Sequence, residues 1–389
     1  MLVNRAGMTS GLLFGVLALL FVGFFKGAIA WPVDLTLVLL GVLYALLLFH
    51  ADQVRDVAHS RPILILGVFL AYVAIRVAPG FSDVGVAKVA RVMLIGVPVL
   101  LAGYVVGREN PTAEKLSKIL LISGVLVSVW VTMCGLLEEG GERQVFFSGG
   151  YQLTGILIGL ALVAASYERA PIAFGIAFLG LAVCGNSSSA LFGGLISLFI
   201  WARRRDFGLA ARSIGCGLIL VALYLSIAQL PVLFIVILTK VEGLLANIAG
   251  LSIAGYAPDP LAKTAAASAD RLWLFADALR HWWDSPWYGK GVGGVSYLLP
   301  EYVYPHNIFL ELLAETGLIG FGLFLAFLLS LIAPLGGAPN AGRIFAFSAF
   351  LFLLSMVGGD ISSRFLWFCL GLLLAVRVQP VLKTQVSTL

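Results

Sequence analysis

A chain of 389 residues that is 60% hydrophobic and only 12% charged lies far from the soluble norm of roughly a quarter charged residues, and its mean hydropathy is +1.03. That balance excludes a water-soluble globular fold, a disordered chain and a collagen-like chain. The four cysteines (Cys134, Cys184, Cys216, Cys369) sit in or beside apolar runs, which excludes a disulfide-stapled secreted domain. The net charge of +5, scattered between the runs, carries no nucleic-acid signature.

Apolar runs of 15 to 25 residues recur from end to end, each close to the length needed to cross a hydrocarbon core of about 30 Å. They predict helices near 9–25, 31–49, 62–77, 89–106, 119–136, 149–167, 171–184, 189–202, 213–239, 307–333, 344–358 and 363–377. The expected fold is therefore all-α and polytopic, a single integral membrane domain over 1–389 with about twelve transmembrane helices. The first run reads as a span and not as a cleaved leader, because no small-residue cleavage site follows it and another span comes directly after Lys26. Twelve spans put both termini on one side. The short loops there hold most of the Lys and Arg residues, with the Arg203–Arg205 triplet as the strongest marker, so this side is expected to be cytoplasmic. The two segments between 171 and 202 are divided at Gly185-Asn186-Ser187-Ser188-Ser189; as one helix they would move the following loops across the membrane.

The remaining cations fall on or just inside the opposite face, among them Lys26, Arg76, Lys88, Arg91, Arg143 and Arg364. Singly each is a snorkelling or solvated side chain. Several together at membrane depth point to an anionic ligand. Lys88 and Arg91, three residues apart, share one helical face at the outer end of the fourth predicted span.

One long extramembrane loop is expected at 240–306, on the outer face. From Asp270 onward, Leu272, Phe275, Leu279 and Trp283 fall at helical spacing, with Asp277, Arg280, His281 and Asp284 on the other side. This pattern is an interfacial amphipathic helix against membrane lipids, anchored by Trp273, Trp282, Trp283 and Trp287 and ended by Pro286. Gly289, Gly291, Gly293 and Gly294 then form a turn-rich strip leading to Pro305-His306-Asn307. The strip formally satisfies G-x-G-x-x-G, but a dinucleotide site needs a preceding strand and a βαβ unit, which are not expected here. No Walker motif, H-E-x-x-H or Cys/His cluster occurs, so the sequence calls for neither a metal nor a cofactor.

His306 stands directly before the tenth predicted span, for which Asn307 is a candidate N-cap. Glu311 and Glu315, four residues apart, share a face of that span. Two readings stay open for them. His306 is an interfacial residue and the glutamates offset the helix dipole; or the glutamates, costly inside a span, face a polar cavity or a cation such as an arginine, with His306 a general base at the rim.

The segment His306-Asn307, nine residues, Gly317, two residues, Gly320 resembles the H-N-x9-G-x-x-G signature of the O-antigen ligase (WaaL) and Wzy-type polymerase superfamily. Upstream, Arg271, Trp273, Ala278-Leu279, Pro286, Gly289, Gly291 and Gly293 are similar to that family's R-x-x-x-W-x-x-A-L … P-x-x-G-x-G-x-G segment, with the tryptophan here two residues after the arginine. The chain departs from the family at Asn186-Ser187-Ser188-Ser189-Ala190, where a T-x-S-R-G-like sequence would supply an arginine.

The resemblance implies a GT-C-like glycosyltransferase of the bacterial inner (cytoplasmic) membrane, with its active site facing the periplasm. Its donor would be a glycan on undecaprenyl diphosphate, and its acceptor lipid A-core for a ligase or the growing glycan for a polymerase. A sugar hydroxyl needs a base as it attacks, whereas a lipid diphosphate leaves readily and needs fixed positive charge. His306 is the candidate base and Arg271 the candidate clamp, since a guanidinium binds phosphate bidentately. Lys88, Arg91, Arg143 and Arg364 are further diphosphate candidates, supported by Asn307, Glu311, Glu315 and Gly317. Single displacement without a metal would invert the anomeric centre. Ligase is favoured slightly over polymerase because the outer loops apart from 240–306 are short and leave room for a bulky lipid acceptor. A secondary transporter or flippase for an anionic lipid or solute would use the same cations, but no internal repeat or pair of broken helices supports it.

Overall fold

The computed structural model of the chain describes residues 5–25, 34–77, 83–137, 150–228, 274–295, 307–331, 341–358 and 360–386. These residues are helical apart from short turns and one isolated bridge. In chain order the helices are α1 (Arg5–Leu20), α2 (Leu35–Leu48), α3 (Ala51–Ala58), α4 (Arg61–Ile75) and α5 (Asp83–Arg91), which runs through a π turn at Val92–Gly96 into α6 (Val97–Arg108). There follow α7 (Asn110–Leu137), α8 (Gly150–Tyr167), α9 (Pro171–Cys184), α10 (Ser187–Arg204), α11 (Phe207–Ala228), α12 (274–284), α13 (Ile308–Leu331), α14 (Ala341–Gly358) and α15 (Arg364–Val386).

Each apolar segment of the sequence contains a helix, yet they differ in length. Asp83–Arg108, Thr112–Leu136, Phe207–Tyr224 and Ile308–Leu331 are long and apolar enough to cross a membrane, and α2 with α3, bent by 81°, makes a fifth if the pair is one span. Others are shorter: α9, with 14 residues, extends about 21 Å at 1.5 Å per residue. By length and composition, four or five helices among the described residues qualify as spans, which supports a multi-pass membrane protein.

The chain falls into two compact units, Met1–Ile119 with Ala278–Leu389, and Leu120–Asp277. In the second unit small residues let helices approach: Gly180 of α9 lies against Ser128 of α7, and Gly175 against Cys216 of α11. The Phe174 ring packs, tilted, at 5.1 Å from the buried Trp201 of α10. The division within 171–202 is real. α9 ends on Gly185 in the left-handed conformation, and Asn186 caps α10 by accepting from the Ser189 N–H at 3.0 Å.

In the first unit, Gly103 and Gly107 of α6, one turn apart, lie against Phe368, Gly371, Leu372 and Ala375 of α15, so the two backbones come close. Further along, Gly96 in the π turn lies under the Trp367 indole, whose Nε1 donates to the Ile361 carbonyl at 2.7 Å. Phe69 of α4 packs on Phe324 of α13 at 5.3 Å.

Two boundaries differ from the sequence reading in a way that matters. α5 begins at Asp83, six residues before the expected 89, which moves Lys88 and Arg91 from the end of a span into its body. On α12 the buried side is Leu274 and Ala278, while Leu279 and Trp283 are exposed, as is Trp287 just beyond it. The aromatic face that the sequence marks therefore points outward, where an interfacial anchor belongs.

Candidate functional site

The site lies in the first unit, where α13 meets α4, α5 and the glycine strip after α12. The side chain of Asn307 accepts from the Phe309 and Leu310 N–H groups at 3.0 and 3.1 Å and so caps α13. One turn inside, Glu311 is fully buried; a turn further, Glu315 is 2% exposed. Both meet the ammonium of Lys88, itself 5% exposed. Lys88 Nζ lies 2.8 and 2.9 Å from the two Glu315 oxygens and makes an ion pair with Glu311. Each carboxylate also holds backbone: Glu311 accepts from the Ile361 N–H at 3.0 Å, and Glu315 from the Gly293 N–H. The cation expected for Glu315 is thus present, as a lysine. Two carboxylates occupy the ammonium of Lys88.

Two residues after Glu315, α13 breaks. Gly317 has φ 65° and ψ −169°, a region open essentially to glycine alone. The break strips several backbone groups of their helical partners, and buried backbone groups must find others. The glycine strip supplies them. Lys290 N–H donates to the Ala314 carbonyl at 2.8 Å and Gly291 N–H to that of Glu315 at 2.9 Å. In return the Leu318 and Ile319 N–H groups donate to the Pro286 and Trp287 carbonyls at 2.8 and 3.2 Å. The Tyr72 hydroxyl of α4 takes the Thr316 carbonyl at 2.9 Å. The turn-rich strip thereby replaces the missing turn of helix, and it can lie so close only because Gly289, at φ 67°, and Gly317 carry no side chains. A Cβ on either would overlap the other's backbone neighbours.

Arg76, just past α4, secures the strip from the other side. Its guanidinium donates to the Tyr288 and Gly289 carbonyls, both at 3.2 Å, and lies over the Tyr288 ring. Its carbonyl accepts from the Val292 N–H at 2.6 Å, beside the parallel bridge of Val77 and Val292. Lys290 pairs with Asp284 at 3.2 Å, and Trp282 Nε1 donates to the Pro286 carbonyl at 3.1 Å. The strip is a run of turns docked on a broken helix, unlike the strand, turn and helix that a dinucleotide-binding glycine motif needs.

Of the residues singled out by sequence, Lys88, Glu311, Glu315, Gly317 and Asn307 come together. Arg91, three residues after Lys88, is exposed. Arg364, at the start of α15, donates to the Leu19 carbonyl at 2.6 Å. Arg143, Arg271 and His306 lie outside the described residues, as does most of the 240–306 loop. Sequence reasoning missed Tyr72 and Arg76 as part of the site. Their signal was an i, i+4 pair at the end of a span, with Arg76 counted only among the unplaced outer cations.

Residues 153–325 match a family model described as O-antigen ligase, Wzy_C. The match covers the strip, Glu311, Glu315 and Gly317, and leaves Tyr72, Arg76, Lys88 and Arg364 outside it. No curated protein and no solved structure matches the chain.

Proposed function

We propose that this protein moves a polysaccharide from undecaprenyl diphosphate to an acceptor sugar at the periplasmic face of the bacterial inner membrane, a reading supported by the match of residues 153–325 to the O-antigen ligase family model. In this reading it is the ligase that joins O-antigen to lipid A-core. The observation that carries the proposal is the platform built at Gly317: within the family-matched segment, the span that follows His306 is capped at Asn307, anchored through two buried carboxylates and locked by backbone to the glycine strip. Such a rigid base suits a reaction that depends on placing two large substrates against one another.

The acceptor hydroxyl attacks the anomeric carbon of the donor. The new glycosidic C–O bond forms as the bond from that carbon to the diphosphate oxygen breaks, and the anomeric centre inverts. His306 takes the hydroxyl proton. The electron pair leaves with the lipid diphosphate, whose charge is held by Arg271, with Arg91, Arg143 and Arg364 as further candidates. These guanidiniums supply the fixed charge that a divalent cation supplies in other phosphate chemistry, so the scheme needs no metal.

Purified protein in lipid nanodiscs, supplied with an undecaprenyl-diphosphate-linked glycan with and without lipid A-core, tests this. Transfer that requires lipid A-core and is lost in His306→Ala supports the ligase reading. Elongation of the lipid-linked glycan without core makes the protein a polymerase with the same chemistry. Unchanged transfer in His306→Ala removes the base, and retention at the anomeric centre, read by NMR of the product, excludes single displacement. Arg271→Lys keeps the charge but loses the fork, so a large loss of turnover at normal membrane levels is expected.

A further inference from the structure

Resting on the glycan-transfer reading, we propose that Lys88 is a positioning residue: held between Glu311 and Glu315, its ammonium sets the register of the catalytic span against the glycine strip. It acts on the reaction through the placement of its neighbours and does not touch the diphosphate.

Three observations carry this. Lys88 is almost completely buried, and its ammonium is engaged by both carboxylates, so an anionic substrate would have to displace two carboxylates to reach it. The carboxylates in turn hold the Ile361 and Gly293 N–H groups. One ammonium therefore ties four chain segments that are remote in sequence: α5, the first turns of α13, the strip, and the turn that leads into α15 and Arg364. The connections also continue beyond the cluster. Ile361 accepts from the Trp367 indole, and that indole covers Gly96 in the π turn of the same helix that carries Lys88. A π turn displaces everything on one side of it relative to a regular helix. Lys88 thus sits on the segment whose placement the π turn controls, and reads it against α13.

Buried ion clusters of this kind contribute little net stability compared with apolar packing, but they punish misplacement because an unpaired buried charge is costly. That property suits a device that holds one geometry. Its consequence falls on α13, whose capped end begins one residue after His306, and on the strip, which follows Arg271 in the chain. A shift of about 1 Å at such a site costs on the order of 100-fold in rate.

The test compares wild type, Lys88→Met, and a triple variant Lys88→Met, Glu311→Gln, Glu315→Gln in nanodiscs, with synthetic undecaprenyl-diphosphate-linked glycan as the varied donor. The glutamines keep an acceptor oxygen for the Ile361 and Gly293 N–H groups, and the methionine keeps the stem, so the triple variant folds without an unpaired charge. Lys88→Met is expected to lower kcat about 100-fold with the donor KM unchanged, and the triple variant to regain about ten-fold of that loss. Deuterium exchange of 286–295 and 307–319 is expected to be faster in Lys88→Met and to slow again in the triple variant. A rise in donor KM that the triple variant does not relieve would make Lys88 a direct anion ligand and overturn the proposal. So would unchanged kcat with only a lowered melting midpoint, which is the signature of a purely structural residue. If Lys88→Met does not accumulate, the triple variant alone decides: a donor KM like wild type with a kcat about ten-fold lower supports positioning, and a raised KM refutes it. Should wild type transfer no glycan, the functional reading fails separately, and unaltered exchange in the Lys88 variants would then be what sinks the positioning role.

Discussion

The first unit contains two buried polar clusters, at the two ends of one helical run. Lys88 lies near the start of α5, and Glu109 directly follows α6; 21 residues at 1.5 Å each put them about 30 Å apart, close to the thickness of a hydrocarbon core. The cluster at Lys88 is made of an ammonium, two carboxylates and backbone. The cluster at Glu109 is made of a hydroxyl between two titratable groups: Thr9 of α1 donates to Glu109 Oε1 at 2.9 Å and meets His50 Nε2 at 3.1 Å, while His50 Nδ1 lies 3.1 Å from the Leu46 carbonyl. A carbonyl can only accept, so Nδ1 carries a hydrogen. Glu109 also accepts from the Thr112 hydroxyl at 3.3 Å. Hydroxyls bridge this second cluster, whereas in the first an ammonium sits between two buried carboxylates. The end with the ammonium is the end that holds the broken span and the glycine strip.

The hardest way to break the comparison is to attack the strip itself. Gly317→Ala places a Cβ against the Trp287 backbone in a conformation closed to L side chains. Strain and overpacking together are expected to cost about 2–6 kcal/mol and to abolish transfer. Membrane level, melting midpoint and turnover check this; a fully active Gly317→Ala would mean that the break in α13 is dispensable. Lys88→Met comes next. It strands two buried carboxylates, for about 3–5 kcal/mol in the melting midpoint, in addition to its expected effect on turnover.

Why the Lys88 cluster escaped the sequence has a physical reason. Glu311 and Glu315 are legible as a pair on one face, and the need for a cation follows from the cost of a carboxylate in a span. The partner is not legible, because it lies more than 200 residues away and hydropathy counts each charge singly. Lys88 and Arg91 therefore read as the end of a span, whereas neutralisation of Lys88 lets α5 begin at Asp83. The strip shows the same limit from another side. Its glycines announce turns, but their use as substitute partners for a broken helix is a backbone matter that leaves no side-chain pattern. By contrast the Gly185-Asn186 division was one of two readings the sequence left open, and a left-handed stop and an N-cap, both local signals, decide for it.

At the other cluster the expected effect is smaller and of another kind. Thr9→Val keeps the shape and removes the hydroxyl, leaving His50 and Glu109 without their bridge. A loss of about 1–3 kcal/mol is expected, with turnover by the folded fraction unchanged, because the hydrogen bonds described for this cluster join α1, the turn between α2 and α3 and the end of α6, at the other end of the run from the strip. A turnover defect at matched folded protein would show that the two ends of the helical run are coupled, and the distinction between them would fall.

The smallest effect sharpens the contrast most. Lys118 and Glu114, i and i+4 on α7, approach to 2.7 Å, no farther apart than Lys88 and Glu315 at 2.8 Å. Their side chains are 58% and 52% exposed, however, against 6% and 3% for the buried pair. If distance governed the worth of an ion pair, Lys118→Ala and Lys88→Met would rank together. Water screens the exposed pair and solvates whichever charge is left behind, so Lys118→Ala is expected to change neither melting midpoint nor turnover measurably. Equal losses in the two variants would place the cause in charge pairing as such. A loss confined to Lys88 places it in burial, which is what lets three charges in a span hold a geometry.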